Sequence, residues 1–190
     1  MQLDWLKRFF GNGSTASSGH EKEYTDVVRV KQDKLLRQLA YGGDVRVREG
    51  VARNPMASED LLADLAYDDV GTVRLNAAAN PSAPASLLEE LMRKGDFDSL
   101  VGVASNPSTP TELLRELSTH DRYRGGNVYA TWNDTRVRSA LCCNPSVPVD
   151  ILSDLAKDNV IRGRGLVALN TSAPQSMLMS IAHNKSDNTE

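Results

Sequence analysis

The feature that most constrains this chain is a step of 26 residues that it keeps along most of its length. Asparagines stand at Asn54, Asn80, Asn106, Asn144 and Asn170, separated by 26, 26, 38 and 26 residues. Aliphatic pairs follow the same step: Leu35/Leu36, Leu61/Leu62, Leu87/Leu88, Leu113/Leu114, Ile151/Leu152 and Met177/Leu178. Two independent features on one period define a repeat, interrupted once by 12 extra residues between the fourth and fifth pairs.

The unit can be read physically. It opens with an apolar-periodic stretch, as in "VREGVARN" (47–54), "VRLNAAAN" (73–80) and "VRSALCCN" (137–144). Val47 and Val51, Val73 and Ala77, and Val137 and Leu141 are each four apart and so share a helical face. Proline steers the residue before it out of the α region, which ends this first helix near the Asn. The Asn side chain suits such a turn because it bonds to nearby backbone. A second proline, at Pro84, Pro110, Pro148 and Pro174, then starts the next helix, where a missing N–H is harmless. "TPTE" (109–112) adds an expected capping box from Thr109 to Glu112. The aliphatic pair and a Leu four residues after its first member form one buried stripe.

A unit of this size cannot stand alone. Burying four or five Val or Leu side chains yields about 1.5–3 kcal/mol each. Ordering two dozen residues costs roughly 1–2 kcal/mol apiece for the backbone. Units must therefore stack and share a core. The expected fold is an all-α solenoid of about six helix–turn–helix repeats over residues 21–184. Its end units are degenerate: the first has Val28 where Asn is expected, and the last has Asn170-Thr171 in place of Asn-Pro. An apolar segment and Gly/Ser linker (1–20) precede it, and a polar tail (185–190) follows.

The pattern Val-Arg, Ala, Asn-Pro, second Pro, Leu-Leu, Leu-Ala and acids resembles the leucine-rich repeat variant family. It stands here as "VREGVARNPMASEDLLADLAYDD" (47–69) and "VRSALCCNPSVPVDILSDLAKDN" (137–159), and the resemblance covers about residues 45–183. It implies a right-handed superhelix of α-helices with some short 3₁₀ helices. Some relatives carry an N-terminal cysteine module for an iron–sulfur cluster. This chain has no cysteine before Cys142, so no cluster and no other cofactor is expected.

Composition narrows the function classes. Hydrophobic residues at 40% and charged residues at 25% suit a soluble fold. The net charge of −3 argues against a surface given over to nucleic acid. There is no membrane-spanning apolar run and no secretory signal pattern, so a cytoplasmic location is expected. The neighbours Cys142 and Cys143 read as free thiols. His20, His120 and His183 lack ligand-like spacing, and no nucleophile–base pair or phosphate-binding glycine loop is present. Neither a metal site nor an enzyme is expected.

Three groups of residues stand out against the repeat. Arg48, Arg74, Arg138 and Arg164 share one position, six before the Asn. They form either a row of phosphate contacts for nucleic acid or ion pairs with the acids ending the previous unit, such as Asp68 and Asp69 before Arg74. The insertion, "RYRGGNVYATWNDTR" (122–136), carries Tyr123, Arg124, Tyr129 and Trp132, which form either an interface, whose composition they match, or a plug folded back into the gap between units. Its Gly125-Gly126 suggests a turn into a strand or hairpin. The N-terminus holds Trp5, Leu6, Phe9 and Phe10 on a flexible tether, "GNGSTASSG" (11–19). It can dock on a partner, on the chain's own first unit, or at a membrane interface, though it has few basic residues for firm membrane attachment. The expected function is a non-catalytic protein-binding module or scaffold. Nucleic-acid binding along the Arg row is the alternative, and a structural or capping piece of a larger assembly is a third.

Overall fold

The computed structural model describes residues 18–119, 128–157 and 163–183, with side chains described from Val30 in the first helix and from Thr135 in the eighth. Every regular element among them is an α-helix. In chain order these are α1 (Ser18–Gly42), α2 (Val45–Ala52), α3 (Glu59–Leu65), α4 (Gly71–Ala79), α5 (Ala85–Lys94), α6 (Phe97–Ser105), α7 (Thr111–Thr119), α8 (Val128–Cys143), α9 (Val149–Ala156), α10 (Gly163–Val167) and α11 (Gln175–His183). The first helices of successive units, α2, α4, α6, α8 and α10, pack one against the next. The second helices α3, α5 and α9 pack against the first helices on either side of them. The short 3₁₀ helices implied by the family resemblance do not occur among the described residues, where the joints are turns.

The helical faces read from the sequence are buried. Val51, Val73, Ala77, Val137 and Leu141 are at most 3% exposed, and Leu62, Leu88, Leu114 and Leu152 are fully buried. Val47 is half-buried. The residue two before each Asn is small and fully enclosed in four units: Ala52, Ala78, Ala104 and Cys142. A larger side chain there would hold the next unit away. Gly102 shows the same tightness from the other partner. A Cβ at that position would lie 2.5 Å from the Leu75 carbonyl oxygen and 2.6 Å from Ala78 Cβ, so α6 rests directly on the backbone of α4.

The joint itself rests on the asparagines. Asn80, Asn106, Asn144 and Asn170 are at most 4% exposed. Each Oδ1 accepts from the backbone N–H two residues on, at 2.8–2.9 Å, as in Asn106 to Ser108. That is the local turn expected from sequence. Each Nδ2 does something the turn does not need and donates twice into the preceding unit. Asn80 reaches Ala52 O and Asn54 O; Asn106 reaches Ala78 O and Asn80 O; Asn144 reaches Ala104 O and Asn106 O; Asn170 reaches Cys142 O and Asn144 O. All eight distances fall between 2.7 and 2.9 Å. Ser82, Ser108 and Ser146 add a hydroxyl donor each to Pro55 O, Pro81 O and Pro107 O.

Several sequence expectations are corrected. The first aliphatic pair lies on one continuous helix, the 25-residue α1, and not on a helix–turn–helix. Residues 18–42 contain no proline and carry Val28 in place of the Asn, so nothing breaks the helix. The second part of the insertion is helical and not a hairpin, because α8 runs unbroken from Val128 into the repeat helix that ends at Cys143. Extending a formed helix adds one hydrogen bond per residue, whereas a new hairpin needs its own nucleus. Pro84 and Pro148 stand at the N-caps of α5 and α9, one residue outside the helix. The expected capping box is absent too. Thr109 is buried, and its hydroxyl donates to Val103 O at 2.7 Å, closing the end of α6.

Replacing Asn106 by Ala removes the donor to the buried Ala78 carbonyl. The expected loss is about 1–3 kcal/mol for that carbonyl alone, read as a lower urea midpoint. Asn106→Asp should be worse at neutral pH, since an ionised carboxylate has no donor and would face carbonyl oxygens. Equal midpoints for wild type and Asn106→Ala would show that the bridge carries no stability.

Candidate partner-binding surface

The insertion lengthens one first helix. α8 has 16 residues where the equivalent α4 and α6 have nine, so it extends about two turns beyond the repeat register. Tyr129 and Trp132 stand on this extension. Tyr123 and Arg124 lie outside the described residues, as do Trp5, Phe9, Phe10 and His120. The extension is fastened at its base by Arg136. Its Nη1 donates to Asp98 Oδ1 at 3.0 Å, and its guanidinium lies 5.0 Å from the centroid of the Phe97 ring. Arg136 and Asp98 both stand eight residues before their Asn, so the same column of consecutive units brings them together. Superposing the repeats would have located this pair, although the two residues are 38 apart in the chain.

Beside the extension is a groove of about 380 Å³. Arg115, Ser118 and Thr119 of α7 form one wall, Arg138 of α8 the back, and Asp150, Ile151, Asp154 and Leu155 of α9 the other wall. Arg115 Nη1 spans it to Asp150 Oδ2 at 2.7 Å. This bond raises the Arg115 guanidinium above its ordinary pKa and lowers the Asp150 carboxyl below the usual carboxylate value. The groove opens where the repeat step lengthens, and it combines both signs of charge with the apolar edges of Ile151 and Leu155. A second, shallower depression of about 600 Å³ between α9 and α11 is lined by Arg164, Lys157, Met177 and Ile181, among others.

The Arg row is largely spoken for. Arg48 Nε and Nη2 grip both oxygens of Asp68 at 2.7 and 3.0 Å, and Nη2 also reaches Asp69 at 3.1 Å. Arg74 donates to the backbone carbonyls of Asp68 and Asp69 and pairs with the Asp96 carboxylate. Arg138 and Arg164 line the two depressions and have interactions of their own. Arg48 and Arg74 are in ion pairs, but not with the carboxylates of the previous unit that the sequence suggested. Each reaches the acids 20 or 22 residues downstream, and of the two only Arg74 also holds the preceding ones, through their backbone.

Cys142 is fully buried as the small joint residue, Cys143 is exposed, and neither forms a disulfide. The His183 ring Nδ1 is 2.8 Å from Met179 O at the end of α11. Among the described residues no three His, Cys, Asp or Glu side chains gather as a metal-binding group. None of the helices in them is long and apolar enough to cross a membrane. No protein-family model, curated protein or solved structure matches this chain.

The grip of Arg48 holds the Asp68 carboxyl below its ordinary pKa. A carboxyl depressed on folding stabilises the native state above its unfolded pKa, near 3.9, and that stability is lost as pH falls through the folded value. Wild type should therefore exceed Asp68→Asn in urea midpoint at pH 7, and the gap should close progressively below about pH 4. A gap unchanged between pH 7 and pH 2 would assign the difference to packing instead of charge.

Proposed function

We propose that this chain is a repeat module of the leucine-rich repeat variant type, a right-handed α-solenoid of about six units, and that it serves as a non-catalytic scaffold for a protein partner. The constant 26-residue step, the asparagine bridge repeated at four joints and the packing of each first helix on the next support the repeat reading. The observation that carries the binding reading is the groove at the foot of the insertion, beside the helical extension bearing Tyr129 and Trp132. Mixed charge beside the apolar edges of Ile151 and Leu155 suits a polypeptide, which offers donors, acceptors and apolar side chains together. A nucleic-acid backbone asks for unneutralised cations. Here Arg48, Arg74 and Arg115 are bonded to acids.

Two variants test the proposal. Tyr129→Ala with Trp132→Ala removes the aromatic anchors, and Arg115→Ala opens one wall of the groove. Each should weaken the partner recovered with wild-type protein about thirtyfold or more, the loss expected of a hot-spot side chain worth about 2 kcal/mol. Thermal midpoints should stay near wild type for the aromatic pair, since neither residue belongs to a joint. Undiminished affinity in both variants would defeat the proposal. So would binding to single-stranded nucleic acid that fades with salt and with Arg138→Ala.

A further inference from the structure

The repeat offers a test of what should cover each surface, because equivalent positions in different units have equivalent neighbours. The first member of each aliphatic pair is buried inside the array: Leu61 is 0% exposed, Leu87 5% and Ile151 5%, with Leu113 half-buried. The Leu four residues later behaves alike, since Leu65, Leu91, Leu117 and Leu155 are at most 5% exposed. In α1 the same two positions are bare, Leu35 at 59% and Leu39 at 49%. The other face of α1 is not bare: Leu36 and Ala40 are 7% and 4% exposed, close to Leu62 at 0% and Ala66 at 1%. α1 is thus docked on the first helix that follows, and it lacks the preceding first helix against which α3, α5 and α9 also pack.

We propose that residues 5–10 of the same chain, Trp5 to Phe10, dock across Leu35 and Leu39 and close this end of the array. Their chemistry fits the vacancy, because Trp5, Leu6, Phe9 and Phe10 are four large apolar side chains in six residues. Their reach fits as well. Leu35 lies about 26 Å along α1 from Ser18 at 1.5 Å per helical residue. The seven linker residues 11–17 span about 25 Å when extended. The segment therefore turns back along α1 with Phe9 and Phe10 near Leu35 and Trp5 farther on, toward Leu39. A second copy of the chain, docked α1 to α1, is the competing occupant, and the test below separates the two. This inference is independent of the partner proposed for the groove.

The test uses the full chain with Trp132→Phe, which leaves Trp5 as its one tryptophan. Its emission should be blue-shifted, and its acrylamide quenching weaker, than in a free peptide of residues 1–17. Adding Leu35→Glu and Leu39→Glu should return both signals to those of the peptide while far-UV circular dichroism is unchanged. A proximity measurement guards against misfolding of that variant. Phe9→Cys with Leu35→Cys in a Cys143→Ser background should form a disulfide within one chain under mild oxidation. Three results would overturn the proposal: Trp5 signals equal to those of the peptide, a blue shift that appears only as the chain dimerises at rising concentration, or one that appears only with vesicles of anionic phospholipid.

Discussion

The structure depends on an amide that faces two ways. At the Asn80, Asn106 and Asn144 joints the proline after the Asn has no N–H, and the N–H beyond it is taken by the Asn's own Oδ1. The carbonyl two before the Asn, which that N–H would meet in a continuing helix, is left without its intrahelical partner. The next unit's Asn supplies it, as Asn106 Nδ2 does for Ala78 O. Each first helix is therefore finished only when the following unit docks. No other common side chain does this with the same reach: Asp lacks the donors, Ser lacks the second bond, and Gln is one methylene longer. Because the bond lies at a buried joint, its loss leaves a polar group where water cannot replace it. The units are thereby tied to their neighbours in sequence, the arrangement expected when stability is a sum of unit and interface terms.

Much of this was legible in the sequence and some was not. The period, the helical faces and the small residue enclosed two before Asn54, Asn80, Asn106 and Asn144 follow from spacing and side-chain size. The Asn was legible only by half. Its local turn is a property of Asn-Pro, but its second role involves a residue 26 or 38 positions away, and short-range spacing says nothing about that. The pair Arg136–Asp98 was hidden for the same reason. In a repeat, residues in one column are spatial neighbours, so the information lay in superposing units and not in reading along one of them. The strand expected around "NVYATW" failed for a different cause. Aromatic and β-branched residues raise strand propensity, but propensity is weak beside the gain from continuing a helix already fixed by its packing. α1 is the converse, since a missing proline and a missing Asn leave no reason to stop.

The insertion shows how such an array accommodates irregularity. Lengthening the step from 26 to 38 residues does not alter the joint it spans: Asn144 still bonds Ala104 O and Asn106 O, both at 2.8 Å. From Val128 on, the extra residues lengthen α8, and Arg136 at the base of this extension reaches back to Asp98 and Phe97 of α6. α7, α8 and α9 leave a groove between them. Contacts that run chiefly between neighbours make this possible, because a change at one step has no distant partner to disturb. The joint carries the stability and the interruption carries the distinctive surface. A chain built this way can alter the residues facing the groove while the asparagine bridges remain as they are. The physical separation of those two tasks leaves the break in the repeat, and not the repeat itself, as the place where the surface of this chain departs from its periodic pattern.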